Sequence, residues 1–432
     1  MRCVLLALLV AAWGPLAGCG TVPPADRMPD GGPGGNEDAA GPSGPVTITI
    51  TNQQISGRAT AAALVAIQDG DGPWQAVTGT DGVYRASVSA ARYGMIVACE
   101  RARDGAVFVT LGFYAANEGT ERFAIDYCAL DNPVSVSISG TVSGVQMGDS
   151  LWVSDGFSES AGAFTSWDLE AVAGPGTLIG MKMTGDRPTA MLLQRVTYAA
   201  GATFKLDFAN QFFPAESELT LDPTGASSIM NTYYIDDSGG QHRIDSANTA
   251  VTKYRVVPAD RVGGGILVLS QNANGNGAVR EVQRAFKTPT SQVLTLPAAY
   301  LLSAPPRIAT RTPYPIGEAT LPRRAGASYY LVNYFTSENN VYRSWNTTYS
   351  AAWLASQPAG DYLARLPDLS AVPGWKASFA LSAMGGSCVV GVATGPARFI
   401  PGVARYDFRG QSIAPHMDGD ETTLSFSNTA FQ

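Results

Sequence analysis

Histidine is almost missing from this chain: His242 and His416 are the two in 432 residues. A zinc centre gathers three or four convergent ligands, and two isolated histidines with an unpartnered Cys388 do not make one, so no metal or other cofactor is expected. Charge is scarce as well. Asp, Glu, Lys and Arg make up 15% of the residues, and five of the 29 basic ones are Lys. A body with formal charge −7, or −8 once Arg2 leaves with a leader, has no electrostatic footprint for nucleic acid. The apolar run Val4 to Ala12 is too short to span a bilayer. No Gly-x-Ser-x-Gly elbow occurs, and the acidic pairs Asp69/Asp71, Asp236/Asp237 and Asp418/Asp420 do not continue into an EF-hand loop. Asp-Gly pairs are first of all turn formers.

What is present begins at the amino terminus. Arg2, the apolar run and Leu16-Ala17-Gly18-Cys19 have the layout of an export leader ending in small residues. The last four residues resemble the bacterial lipobox. That resemblance implies cleavage before Cys19, lipidation of its thiol with a palmitate-type chain, and a membrane partner reached through Cys19. Gly20 after the cysteine resembles an outer-membrane sorting signal, so the expected address is the bacterial cell envelope, anchored in the outer membrane. Residues 20–45, GTVPPADRMPDGGPGGNEDAAGPSGP, hold almost nothing that could anchor a core and read as a disordered tether. Random-coil scaling gives such a tether an average reach of roughly 25–30 Å.

Beyond it the composition turns to short alternating runs of Val, Ile, Tyr and Phe separated by Gly, Asp and Ser. The fold class expected is all-β: tandem antiparallel β-sandwich domains, immunoglobulin-like or transthyretin-like. Val46-Thr47-Ile48-Thr49-Ile50 has strict alternation, and Asp69-Gly70 and Asp81-Gly82 supply hairpin turns. Thr80-Asp81-Gly82-Val83-Tyr84, followed by Arg92-Tyr93-Gly94-Met95-Ile96-Val97, resembles the closing hairpin of carboxypeptidase regulatory-like, transthyretin-like modules. The Gly-x-Pro-Leu-x-Gly-type stretch of that family is missing here. Ile55-Ser56-Gly57 recurs as Ile138-Ser139-Gly140, Val65 to Gly70 as Leu151 to Gly156, and Tyr93 to Ile96 as Thr177 to Gly180, at offsets of 83 to 86 residues. The expected division is 46–132, 133–214, 215–305 and an aromatic-rich last part, 306–432. Prolines 305, 306, 313 and 315 mark the entry to that part as a linker.

Candidate sites are few. Cys99 and Cys128 each end a strand-like run. In an oxidising compartment they either bridge, closing a loop of about 30 residues for ~3–4 kcal/mol, or remain buried thiols. Cys388, beside Val389-Val390, reads as a buried core thiol. Gly148-Asp149-Ser150-Leu151 spells the nucleophile block of the GDSL esterases and lipases, a resemblance confined to four residues. The family's serine needs a histidine preceded by aspartate three residues earlier, and Gly239 and Ile413 stand in that place before His242 and His416. No catalytic residue is therefore assigned.

The aromatic cluster of the last part includes Tyr329, Tyr334, Tyr342, Trp345 and Trp353. These residues either fill a core or form a surface that contacts a carbohydrate or protein ligand. In Ser328 to Phe335 they alternate onto both faces of a strand, so some face outward unless the strand is covered twice. The expected protein is a non-catalytic envelope lipoprotein with a structural or ligand-binding role. The alternative is an anchored hydrolase acting on polysaccharide or ester substrates through an unidentified site.

Overall fold

The computed structural model describes residues 45–52, 61–101, 105–116, 122–125, 135–146, 148–162, 165–185, 187–222, 228–248, 251–275, 277–310, 312–338, 341–382, 386–396 and 417–431. Almost all of the ordered elements are strands. Unit one runs through β1 (Val46–Asn52), β2 (Leu64–Asp69), β3 (Trp74–Ala76), β4 (Gly79–Thr80), β5 (Val83–Val88), β6 (Arg92–Glu100), β7 (Val107–Ala115) and β8 (Arg122–Ile125). Asp81 and Gly82, both at positive φ, make the tight turn between β4 and β5 that an Asp-Gly pair favours. Unit two holds β9 (Ser135–Ser143), β10 (Ser150–Ser154), β11 (Glu159–Gly162), β12 (Ser166–Val172), β13 (Gly174–Thr184), β14 (Arg187–Tyr198) and β15 (Thr203–Asp207).

Unit three holds β16 (Ala215–Thr220), β17 (Ser228–Ile235), β18 (Gln241–Asn248), β19 (Lys253–Val256), the short helix α1 (Ala259–Val262), β20 (Ile266–Gly275), β21 (Ala278–Phe286) and β22 (Gln292–Val293). Unit four holds β23 (Arg307–Thr310), β24 (Ile316–Leu321), β25 (Tyr329–Glu338), β26 (Val341–Ser350), helix α2 (Ala351–Leu354), β27 (Tyr362–Arg365), β28 (Gly386–Thr394) and β29 (Glu421–Phe431). Ser350 caps α2, its hydroxyl accepting the Trp353 N–H. The proline-rich entry to this part, expected as linker, contributes β23.

One pairing pattern recurs along the chain. In unit one, β1 pairs antiparallel with β5 and parallel with β8, while β3-β2-β6-β7 form a second layer. Unit two repeats it, with β9 between antiparallel β12 and parallel β15, facing β11-β10-β13-β14. Unit three repeats it again with β16 between β19 and β22, facing β18-β17-β20-β21. Unit four keeps β26-β25-β28-β29 and the β24–β27 pair, but β23, antiparallel, flanks β24 where the other units place a parallel strand. The sequence blocks Val65 to Gly70 and Leu151 to Gly156 fall on equivalent strands, β2 and β10, with their following turns; Ile55-Ser56-Gly57 lies outside the described residues.

The units are not free-standing in the way tandem modules would be. β21 pairs antiparallel with β29, and β26 pairs parallel with β7. The four-stranded layers of units three, four and one thereby join into one twelve-stranded sheet, in that spatial order. The physical reason is two-sided burial. Tyr93, Met95 and Val97 of β6 face the interior of unit one, whereas Ile96 and Ala98, with Val107, Val109, Leu111 and Phe113 of β7, join the core of unit four. Strands buried on both faces read as continuous apolar runs, and an edge of that kind is stable only when another strand covers it. Unit two keeps its own two sheets and packs one face of β13 and β14, through Ile179, Met181, Met183 and Met191, into the core of unit three.

Candidate functional site

The GDSL block is a turn. Gly148 has positive φ, the Asp149 carboxylate accepts the Gln146 N–H and lies 3.5 Å from Lys182, and Leu151 is buried in unit two. Ser150 is exposed and pairs in the ladder with Met183. The serine that meets histidine is Ser154, at the far end of the same strand. Its Oγ lies 3.3 Å from His242 Nδ1, and His242 Nε2 lies 3.6 Å from Asp236 Oδ2. Asp155 stands next to Ser154.

Two turns build this constellation, one from unit two and one from unit three. Asp155 Oδ1 accepts the N–H groups of Phe157 and Ser158, shaping the β10–β11 turn. Asp236 Oδ1 accepts from Ser238 N–H, Ser238 Oγ and Gly240 N–H, shaping the β17–β18 turn. These are the local side-chain-to-backbone bonds that make Asp a turn residue. The Gln241 N–H donates to the Gly156 carbonyl across the contact at 3.1 Å. Gly156, at φ 87°, has no room for a side chain, because a Cβ there would stand 2.7 Å from Gly240 Cα. Tyr234 stacks on His242 with centroids 5.9 Å apart.

The site is sealed. Ser154 and His242 are 0% exposed, Asp155 1% and Asp236 4%. Ser154 Oγ already accepts the Gly156 N–H, and Asp155 Oδ2, Asp236 Oδ2 and His242 Nε2 have no partner at hydrogen-bond distance. Burial pushes the Asp155 carboxyl above its ordinary range, against the Ser158 and Phe157 N–H groups and the charge of His242. Burial acts on Asp236 too, but the facing His242 ring, Ser238 and Thr177 outweigh it and hold the group well below the usual range. The arrangement contains the atoms of a serine–histidine–aspartate relay. It lacks the open face from which a substrate carbonyl would reach the serine.

Ionic contacts surround this centre. Arg243 lies over the Trp152 ring at 4.4 Å and 3.4 Å from Glu159, whose carboxyl is raised to about 7 by burial, with Asp155 adding to the rise and that guanidinium opposing it. Arg187 forks onto the fully buried Asp245 at 2.7 and 3.1 Å, and Asp245 also accepts the Arg255 N–H. Arg195 reaches Asp237, Thr177 Oγ1 and Tyr234 OH. A cavity of about 150 Å³ lies beside Trp152, Met183, Arg243 and Asp245. A larger concavity, about 670 Å³, is lined by residues of β9, β12 and β15 that include Thr141, Ser166, Trp167, Asp168, Phe204 and Lys205.

The sites expected from sequence fall in different places. Cys19, Cys128 and His416 lie outside the described residues. Cys99 is disulfide-bonded. Cys388 is free and buried, and burial raises its thiol pKa. Three of the five aromatics are core residues. Tyr329 is buried against the unit-one core, Tyr334 and Trp345 against the unit-four core, and the Trp345 Nε1–H donates to the Phe379 carbonyl at 2.7 Å. β25 is covered on both faces, the condition under which its alternating aromatics need no solvent side. Tyr342 and Trp353 are half-buried. Tyr342 stacks on Phe335, and Trp353 packs 4.7 Å from Phe113.

The acidic pairs considered for calcium serve their own turns. Asp69 accepts from Ser89 and Ala90, Asp71 pairs with Arg92, and Asp418 accepts the Lys287 N–H. Among the described residues no three His, Cys, Asp or Glu side chains are grouped to hold a metal ion.

No protein-family model matches the chain, and no curated protein matches it. Among solved structures it is similar to a streptococcal ancillary pilin, at 8% identity over 70% of this chain and 99% of that one, with a TM-score of 0.13. It is also similar to the pilus adhesin SpaC from Lactobacillus rhamnosus GG, at 9% identity over 71% of this chain and 44% of that one, with a TM-score of 0.13. Superposition this loose assigns no function. Among the described residues no helix is long and apolar enough to cross a membrane.

Proposed function

We propose that the protein is a lipid-anchored structural lipoprotein of the bacterial cell envelope, held to the outer membrane through Cys19 and without catalytic activity. The observation that carries this reading is the joining of units three, four and one into one sheet, with unit one, the first after the tether, paired to unit four through β7 and β26. A pull on the tether would enter at β1, which is held between β5 and β8. The sealing of Ser154, His242 and Asp236 supports a non-catalytic role, and the lipobox-like leader supports the anchor. A carbohydrate or protein ligand would meet hydroxyls, Asp168, Lys205 and the stacked pair Trp167 and Phe204 in the concavity of unit two rather than the expected aromatics of the last part.

Fractionation tests the proposal. The protein is expected with the outer membrane, released by detergent and not by high salt, and a Cys19→Ala variant is expected outside the lipidated membrane pool. Release of the unmodified protein by salt alone would contradict the anchor.

A further inference from the structure

Unit two keeps its four-stranded layer out of the twelve-stranded sheet, and that layer is the one turned towards unit three. The other layer, β12-β9-β15, lies on the far side of unit two from that contact, with the unit-two core between. Strand pairing sets its outward residues in two rows. Asp168, Ser139 and Thr203 stand side by side in one, and Ser166, Thr141 and Lys205 in the next. Each row spans about 10 Å across the strands, and the two lie about 7 Å apart. Between them Trp167, Gly140 and Phe204 form the floor of the concavity of about 670 Å³. That floor is closely packed, because a Cβ on Gly140 would stand 2.4 Å from both the Phe204 carbonyl oxygen and the Trp167 ring.

The fold makes no use of the two rows. Ser139 is half-buried and the other five side chains are exposed. Among the described residues the four hydroxyls and Asp168 make no side-chain hydrogen bond, and the acidic group nearest Lys205 is Asp207, at 3.8 Å. The matching layer of unit three is closed by its own ion pairs, Glu216 with Lys253 and Arg255, and Glu218 with Lys253. In unit two one carboxylate and one ammonium cancel, and none of the exposed large apolar side chains lies on the face. A protein partner is held by aromatic and arginine anchors, and a polyanion needs a surplus of cations. Neither fits this surface. A neutral chain of hydroxyls does, since every group in the rows can donate to or accept from one.

We propose, on the non-catalytic envelope role set out above, that this concavity binds a neutral hexose polymer. The Asp168 carboxylate accepts from sugar hydroxyls, the Lys205 ammonium donates to sugar oxygens, and Ser139, Thr141, Ser166 and Thr203 do either. The strand ladder already holds the six groups in place, so binding orders little besides the sugar.

Affinity electrophoresis of the full chain in detergent, through gels holding dextran, soluble starch or laminarin, tests this. Retardation is expected with at least one of these neutral polymers and not with alginate, an acidic one. Asp168→Ala is expected to weaken it about tenfold and Thr141→Val about fivefold, in line with loss of a charged and of a neutral hydrogen bond. Glu170→Ala, on the same face of β12 outside the concavity, is expected to leave it unchanged. All three positions are exposed, so the variants are expected to fold. Retardation by none of the neutral polymers, equal retardation by alginate, or undiminished retardation of Asp168→Ala and Thr141→Val would overturn the proposal. Fractionation is read separately: a chain found with the outer membrane yet unretarded loses the ligand and keeps the anchor. Shortening of a retarding polymer would instead contradict the non-catalytic role and leave the binding face standing.

Discussion

Ser154 Oγ and His242 Nδ1 stand 3.3 Å apart across the contact of two units, 88 residues from one another in sequence and both without solvent exposure. A nucleophile and base in such a place fix the register of two turns. Gly156 sets how closely those turns approach. Gly156→Ala would force a side chain at positive φ into Gly240, and it is expected to destabilise the chain by about 1–3 kcal/mol in denaturant titration. An unchanged midpoint would mean that the turns are not in contact.

Truncation of the aromatics separates core from surface. Trp345→Ala and Tyr334→Ala are expected to cost about 3–5 kcal/mol each, the range for large buried rings. Loss of a ligand with unchanged stability would restore the surface reading.

The strands were legible where one face is wet. Val46 to Ile50 alternates and becomes β1, with Ile48 and Ile50 inside, and Thr422 to Ser427 lies in β29. The Asp81-Gly82 turn was legible because local chemistry decides it. The joining of units was not. Continuous runs such as Val107 to Ala115 state that both faces are buried but not against what, and the partners of β7 lie in β6 and in the distant β26. The same blindness applied to Tyr329, whose outward side proved to be the core of another unit. His242 fails the spacing rule of hydrolase motifs, yet it meets a serine and an aspartate, because packing rather than spacing brings them together.

Glu281 gives the stability of the fold a pH dependence. It lies in β21 beside Gln283, and burial raises its carboxyl to about 7 from 4.5, with the Gln283 bond opposing. The folded state therefore binds the proton more tightly than the unfolded one. Stability from this group is full below pH 4.5, declines as the pH rises through 7, and is flat above. Glu281→Gln is expected to be more stable than the unmodified chain at pH 8, by an amount on the order of 2–3 kcal/mol, and to match it at pH 4.5. Thermal unfolding at the two pH values checks this, and identical shifts at both would refute it.

Cys99 is engaged in a disulfide, and Cys128 is its expected partner. Peptide mapping without reduction is expected to recover those two linked and Cys388 unmodified by an alkylating reagent until the chain is denatured. A link from Cys99 to any other cysteine would contradict the assignment.

The anchor is tested most directly by labelled palmitate. Cells expressing the unmodified chain are expected to incorporate the label into this protein, with mass spectrometry placing it on an amino-terminal peptide beginning at Cys19, and Cys19→Ala is expected to carry none. Equal labelling of both, or an unmodified amino terminus upstream of Cys19, would contradict the lipoprotein account.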